Sequence, residues 1–169
     1  MAEKPVEHKF QKKLLVSYEE MVKEGCHEKI VMVRDFQSAV GEQKAAEIVS
    51  RAAAERVVAR VQRRCRDKPI RCMQDFAALM SSFHDTEVGR NTQTIEVLEN
   101  TPDRYVFAVK ECLWAKVYRD ENAGDLGYCL ECSTDFIFAA TCNPKLTLQR
   151  KKTLMQGDDC CEFTYTWKE

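Results

Sequence analysis

This sequence lacks a long hydrophobic run, and it contains little proline, glycine or histidine. Its 169 residues include four prolines, six glycines and three histidines. A membrane-spanning helix needs about 20 consecutive apolar residues, and no segment approaches that length. Residues 1–9 are charged and precede no apolar stretch, so we expect neither a secretory signal nor membrane association. We therefore expect a cytoplasmic protein whose thiols stay reduced.

An excess of one charge is also missing. The chain has 26 Lys and Arg against 27 Asp and Glu, a net charge of −1. Such a chain has no general attraction to the phosphate backbone, so we expect no nucleic-acid partner. Its length is sufficient for one domain with its own core. We expect a single domain over residues 1–169, with a mainly helical part at 1–90 and a hairpin-rich part at 91–169.

Apolar residues at helical spacing dominate the first half. The clearest pattern is an unbroken i, i+4 row that includes Ala45, Ala53 and Val57, which could pack inside the domain or against a second copy. Gly25 and Gly41 are expected to end helices. Because the apolar row could pack against a second copy, formation of a homo-oligomer stays open. The predicted helices are residues 8–24, 26–40, 42–64 and 72–86, the last of which carries His84 near its end.

The second half alternates between strand and helix patterns. A turn at residues 100–103 and another at residues 156–159 each separate two β-rich runs, which predicts two hairpins. This order predicts an α+β fold in which N-terminal helices pack on a four-stranded antiparallel sheet. The predicted strands are Thr92–Glu99, Arg104–Glu111, Leu146–Met155 and Cys161–Trp167, and the intervening helices are Leu113–Glu121 and Leu126–Ala140.

A basic stripe follows one face of the helix at residues 42–64, formed by Arg56, Arg60, Arg63 and Arg64. A solvated helix face is the favoured interpretation, and a surface for an anion or an acidic partner is the alternative. Nucleic-acid binding is not indicated, because no aromatic residues are interleaved with the arginines.

Cysteine, by contrast, is abundant: nine are present, and six of them lie between Cys112 and Cys161. Cys132 and Asp135 are one helical turn apart and share a face. Cys112 follows the first predicted hairpin, and Cys161 begins the last strand. If the helix packs on the sheet, these four residues form one cluster.

One interpretation of the cysteines is a metal site. A four-cysteine zinc site is disfavoured, because Cys129 and Cys132 lie in a helix and adjacent strand residues point to opposite faces at Cys160 and Cys161. A mixed site in which a metal-bound water is the nucleophile stays open. The cofactor is unknown: it is none, or one transition metal such as zinc or iron. The candidate ligands are Cys112, Cys132, Cys161 and His84.

A second interpretation is a nucleophilic thiol, and a third is that the cysteines only fill the core. A nucleophile needs a group that lowers the thiol pKa or accepts its proton. Asp135 has the spacing to orient or shuttle a proton for Cys132. Because a carboxylate alone raises a thiol pKa, a cation or a proton-accepting His84 should also be near. Trp114 could line a pocket, although an aromatic core is the simpler assignment.

Several short motifs occur in a fixed order through residues 105–167. Together they resemble the L-2-amino-thiazoline-4-carboxylic acid hydrolase family, and Gly41–Ala45 fits more weakly. The motifs are Cys112, Leu126-Gly127-Tyr128-Cys129, Cys132-Ser133-Thr134-Asp135, Asn143-Pro144, Leu148-x-Arg150, Thr153-Leu154-Met155-x-Gly157-Asp158 and Cys161-x-Phe163.

The resemblance implies hydrolytic opening of a cyclic amidine. In that reaction water adds to the amino-substituted carbon of a five-membered ring, and a carbamoyl derivative of cysteine results. The family positions map onto Cys112, Cys132, Asp135 and Cys161. We expect Cys132, Asp135 and Cys161 to be catalytic, with Cys112 completing the pocket.

The chemistry also asks for a proton donor and for a cation to bind the substrate carboxylate. His84 and Tyr128 are candidates for the donor, and Arg150 and Arg104 for the cation, although exposed strand positions would explain both arginines. The leading expectation is a hydrolase of C–N bonds in a small cyclic amidine or related heterocycle. A non-catalytic small-molecule or metal sensor is the second, and a helical interaction module is the third.

Overall fold

The computed structural model describes residues 15–168 and confirms the α+β fold, in which helices pack against a four-stranded antiparallel sheet. The sheet order is β1-β2-β4-β3. The helices are α1 Tyr18–Val40, α2 Glu42–Asp67, α3 Met73–His84, α4 Glu87–Thr92, α5 Leu113–Asp120, α6 Gly124–Gly127 and α7 Thr134–Cys142, and the strands are β1 Gln93–Asn100, β2 Arg104–Cys112, β3 Leu146–Arg150 and β4 Cys161–Trp167.

The first helix is one continuous element, so the predicted break at Gly25 is wrong. Ser17 begins α1 with a capping box, in which its side chain and that of Glu20 each accept a backbone N–H. Gly25 costs about 1 kcal/mol in a helix interior. Burial of the apolar row formed by Val22, Cys26, Ile30 and Val33 offsets this cost. Residues 8–14 of the predicted helix lie outside the described residues, and Gly41, with φ +84°, ends α1 as expected.

The helix predicted over residues 126–140 is interrupted. A π-helical turn at Tyr128–Cys132 separates α6 from α7, with the Ser133 N–H donating to the Tyr128 carbonyl at 2.8 Å. The helix predicted over residues 72–86 ends at His84, and the additional helix α4 follows it.

The strand predicted over residues 146–155 ends early, at Arg150. Local side-chain hydrogen bonds turn the chain away from the sheet: the Thr153 N–H donates to the Asp158 carboxylate at 2.7 Å, and the Met155 N–H donates to the Thr153 hydroxyl at 3.2 Å. A short 3-10 turn at Leu154–Gln156 follows. The second hairpin forms as predicted, with a longer connection.

Two apolar clusters fill the interior. One joins α2, α3 and α7 to the inner face of the sheet, where Phe107, Phe163 and Tyr165 stack. The other joins α1 to α5, α6 and the π-helical turn. The row containing Ala45, Ala53 and Val57 is buried inside the chain. Among residues 15–168, no helix is both long and apolar enough to cross a bilayer.

Candidate functional site

A cavity of about 420 Å³ lies where the inner face of the sheet meets α2, α3, α7 and the π-helical turn. Its volume is within the range typical of small-molecule sites. The lining residues are Arg60, Val61, Arg64, Cys65, Leu79, Met80, Phe83, His84, Gln93, Phe107, Val109, Cys112, Trp114, Glu131, Cys132, Thr134, Asp135, Phe138, Arg150, Met155, Cys161, Phe163 and Tyr165.

The four residues of the predicted cluster all line this cavity. Cys112 is the last residue of β2, and Cys132 is the last residue of the π-helical turn. Cys161 is the first residue of β4 and pairs with Val109 of β2. A hydroxyl links two of the thiols: the Cys161 thiol donates to Thr153 Oγ1 at 3.7 Å, and the Thr153 hydroxyl faces Cys132 Sγ at 4.0 Å. The Cys132 and Cys161 sulfurs therefore belong to one chain of polar groups.

Cys161 has an additional polar contact. The backbone N–H of Leu154 points at its sulfur at 3.2 Å. This N–H and the Thr153 hydroxyl fix the position of the Cys161 sulfur at the cavity wall. This contact depends on the 3-10 turn after β3, which the sequence did not predict.

Arg150 is the buried cation of the site. Its side chain is 2% exposed, so the account of Arg150 as an exposed strand residue is wrong. Its Nη1 donates to Asp135 Oδ2 at 2.5 Å, and its Nη2 donates to the Cys132 carbonyl at 3.0 Å. The guanidinium also lies 5.2 Å from the ring centroids of Phe136 and Phe163. The arginine therefore fixes the segment that carries Cys132 and Asp135.

The other candidate cation has a different environment. Arg104 pairs with Glu99 at 3.1 Å, its side chain is 47% exposed, and it does not line the cavity.

Burial sets the protonation of the acidic groups. It raises the pKa of Cys132 to about 12, with a further rise from the charge of Asp135 and a partial opposing effect of Arg150. It also raises the pKa of the Cys112 thiol. Burial raises the pKa of Asp135 to about 6, although Arg150 opposes the rise. The thiols of Cys112 and Cys132 are therefore protonated at neutral pH.

His84 and Tyr128 are in different positions relative to the cavity. His84 lines it from the end of α3, packs edge-on against Phe107 at 5.2 Å, and has its pKa lowered by burial, which favours a neutral ring at pH 7. Tyr128 is not among the lining residues, and its ring lies 5.7 Å from the Arg150 guanidinium. Cys129 and Cys160 are also absent from the lining.

Glu131 is a lining residue that sequence reasoning missed. It accepts hydrogen bonds from Lys29 Nζ at 2.6 Å and from the Tyr118 hydroxyl at 3.2 Å, which connects the cavity wall to α1 and α5. Helical periodicity does not reveal it, because the π-helical turn changes the face on which each residue lies. Such turns occur frequently at functional sites.

Among the described residues, the geometry provides no set of metal ligands for the metal interpretation. Cys112, Cys132, Cys161 and His84 share the cavity wall, yet within residues 15–168 no three His, Cys, Asp or Glu side chains are grouped to hold a metal ion. The site is instead a mainly apolar chamber that contains the Arg150–Asp135 ion pair and four thiols, those of Cys65, Cys112, Cys132 and Cys161.

The comparisons with known proteins bear on both the family and the fold. The model of the L-2-amino-thiazoline-4-carboxylic acid hydrolase family matches residues 17–165. The fold is similar to the crystal structure of the phenol-responsive sensory domain of the transcription activator PoxR with phenol, with a TM-score of 0.53 and 10% sequence identity. The similarity covers 93% of this chain and 77% of that chain. At that identity the likeness concerns the fold. No curated protein is significantly similar in sequence to this chain.

Proposed function

This chain belongs to the L-2-amino-thiazoline-4-carboxylic acid hydrolase family, and we propose that it hydrolyses a C–N bond of a small cyclic amidine inside the cavity. One observation carries the proposal: the buried Arg150–Asp135 pair lies against the segment of Cys132, beside the thiol of Cys161. A carboxylate in an apolar chamber is a recognition group for an amidinium, since both can form paired, charge-assisted hydrogen bonds.

Substrate binding would change the electrostatics of Cys132. Burial and the negative charge of Asp135 keep its thiol protonated. A cationic amidinium beside Asp135 compensates that charge and favours the thiolate. Asp135, with a pKa of about 6, is suited to accept and return a proton near neutral pH. Activation of the nucleophile is then coupled to occupancy by the correct ligand.

The reaction we propose has two stages. The Cys132 thiol passes its proton to Asp135 as its sulfur bonds to the amidinium carbon. Asp135 returns the proton to the ring nitrogen, the ring C–N bond breaks, and the nitrogen leaves as an amine. Water then loses a proton to Asp135 and adds to the same carbon, and the Cys132 thiol departs with that proton. The hydroxyl on that carbon gives its proton to the freed amine, and the carbon remains as a carbamoyl group.

The remaining residues have supporting roles in this scheme. The Thr153 hydroxyl contacts the sulfurs of both Cys132 and Cys161, so Cys161 can help to position the Cys132 thiol through this hydroxyl. Cys112 and Trp114 close the apolar wall. The neutral His84 ring is a second proton acceptor at the cavity wall.

The test is steady-state turnover of 2-amino-2-thiazoline-4-carboxylate by purified protein. We expect Cys132→Ser to lower kcat at least about a hundredfold, and Cys161→Ser to lower it about tenfold. Cys129→Ser and Cys160→Ser are matched controls, because each changes a neighbouring cysteine outside the lining. Full turnover by both Cys132→Ser and Cys161→Ser would exclude the proposal.

A ligand sensor is the second candidate function. Two observations favour it: the fold is similar to the phenol-responsive sensory domain, and the thiols of Cys112 and Cys132 are protonated. Tight binding of small ring compounds that shifts the thermal midpoint, without product formation over long incubation, would support the sensor over the hydrolase.

A further inference from the structure

Two arginines of α2 form the mouth of the cavity. Among the residues that line it, Arg60 and Arg64 alone are largely exposed to solvent, whereas every other lining side chain is buried or half-buried. The guanidinium groups of Arg60 and Arg64 therefore border the cavity on its solvent-facing α2 side.

Neither arginine is neutralised by a carboxylate. Within the described chain, no Asp or Glu oxygen lies within 4.0 Å of the Arg60 or Arg64 guanidinium. Arg64 is nevertheless held in place, because its Nη2 donates to Ser82 Oγ at 3.0 Å and its guanidinium lies 4.2 Å from the centroid of the Phe83 ring. A positioned, unpaired guanidinium is available to an anion.

The interior cation, by contrast, already has a partner. Arg150, whose side chain is 2% exposed, is paired with Asp135. A ligand carboxylate directed at Arg150 would compete with Asp135 in a buried place, and separating that pair is costly. The mouth therefore suits a carboxylate better than the interior does.

We infer that Arg60 and Arg64 bind the carboxylate of a small ring acid whose ring occupies the apolar cavity, so that the mouth selects anionic ligands. This inference rests on the cavity being the ligand site, as the proposed function requires. It also gives a role to two members of the basic stripe on α2.

The test compares benzoate with phenol by calorimetric titration at low ionic strength, which needs no turnover. We expect the wild-type protein to bind benzoate about tenfold more tightly than phenol, since a charge-assisted pair contributes about this factor. The double variant Arg60→Gln/Arg64→Gln should lose that preference and bind phenol as before. Added salt should weaken benzoate binding more than phenol binding.

The matched control is Arg56→Gln/Arg63→Gln, which removes the same charge from the same helix at positions outside the cavity lining. It should change the benzoate-to-phenol ratio by no more than about twofold. Arg64→Lys should retain part of the preference, because it keeps the charge and loses the guanidinium fork. Far-UV circular dichroism checks that α2 remains helical in each variant.

Three results would overturn the inference: no binding of benzoate, phenol binding as tightly as benzoate, or an unchanged ratio in the Arg60→Gln/Arg64→Gln protein. Failure of the hydrolase proposal is distinguishable, because selective benzoate binding without hydrolysis of the thiazoline acid would leave the anion-selective mouth in place. If hydrolysis occurs, the same double variant should raise KM for 2-amino-2-thiazoline-4-carboxylate about tenfold with little change in kcat.

Discussion

Two acidic residues one turn apart, Glu131 and Asp135, meet different surroundings. Asp135 pairs with Arg150, whose side chain is 2% exposed, at the wall of the cavity. Glu131 pairs with Lys29, whose side chain is 43% exposed, and it also accepts from the Tyr118 hydroxyl. The two carboxylates are similarly part-exposed, Asp135 at 35% and Glu131 at 30%, so the pairs differ in their cation, which is enclosed in one and solvent-facing in the other.

The difference indicates what each pair does. Solvent-facing pairs contribute about 0–1 kcal/mol to folding and can connect two elements at little cost. A pair with an enclosed cation loses the hydration of that cation, so it is a poor way to gain stability. The Lys29–Glu131 pair is well suited to tethering α1 to the π-helical turn, whereas the Arg150–Asp135 pair is better explained by recognition of a polar ligand.

The largest effect should come from removing the enclosed cation. Arg150→Met leaves the part-exposed Asp135 without its partner and removes the hydrogen bond to the Cys132 carbonyl, and we expect the free energy of unfolding to fall by about 2 kcal/mol. Urea denaturation measures this. The double variant Arg150→Met/Asp135→Leu is the control and should recover most of the loss, because no buried charge remains. A loss of less than about 1 kcal/mol would remove the distinction between the two pairs.

An intermediate effect should appear in the pH dependence of stability. The pKa of Asp135 is about 6 in the folded protein, above its usual value of 3.8. Between those values the folded state binds the proton that the unfolded state has released, so the contribution of Asp135 to stability falls as pH rises from about 4 to 6. In Asp135→Asn this contribution is absent. The difference in free energy of unfolding, wild type minus variant, should therefore decrease over that interval.

Urea titrations of both proteins at several pH values between 4 and 7 measure this difference, and the subtraction cancels the other carboxyl groups. A difference that increases with pH would mean that Arg150 outweighs burial and that the pKa of Asp135 is lowered.

Much of this architecture was predictable because its signals are local. The turns at residues 100–103 and 156–159 fix both hairpins, and the spacing of Cys132 and Asp135 places them on one face. Arg150 was also accessible in principle: with Leu146 and Leu148 it occupies alternate positions of β3, and alternate strand residues share a face. It was assigned to the surface because arginine is rarely buried.

The features that were not predicted depend on tertiary contacts. Gly25 is tolerated in α1 only because neighbouring turns of that helix are buried against other elements. The spacing of apolar residues does not reveal the π-helical turn, and this turn places Glu131 in the cavity wall. A role for the exposed Arg60 and Arg64 can be inferred only from the tertiary structure, in which α2 borders the cavity.

The smallest effect should come from the solvent-facing pair. Lys29→Met should lower the free energy of unfolding by about 0.5 kcal/mol, and less in high salt, because the ammonium is accessible to water and ions. Glu131→Gln should have a similarly small effect, since the amide oxygen can still accept from the Tyr118 hydroxyl.

Thermal denaturation of both variants at low and high salt, with turnover measured in parallel, completes the comparison. If Glu131→Gln abolished turnover while remaining as stable as the wild type, Glu131 would be acting on the ligand from the cavity wall. The two carboxylates would then form one acidic pair shared by the substrate, instead of one tether and one recognition group.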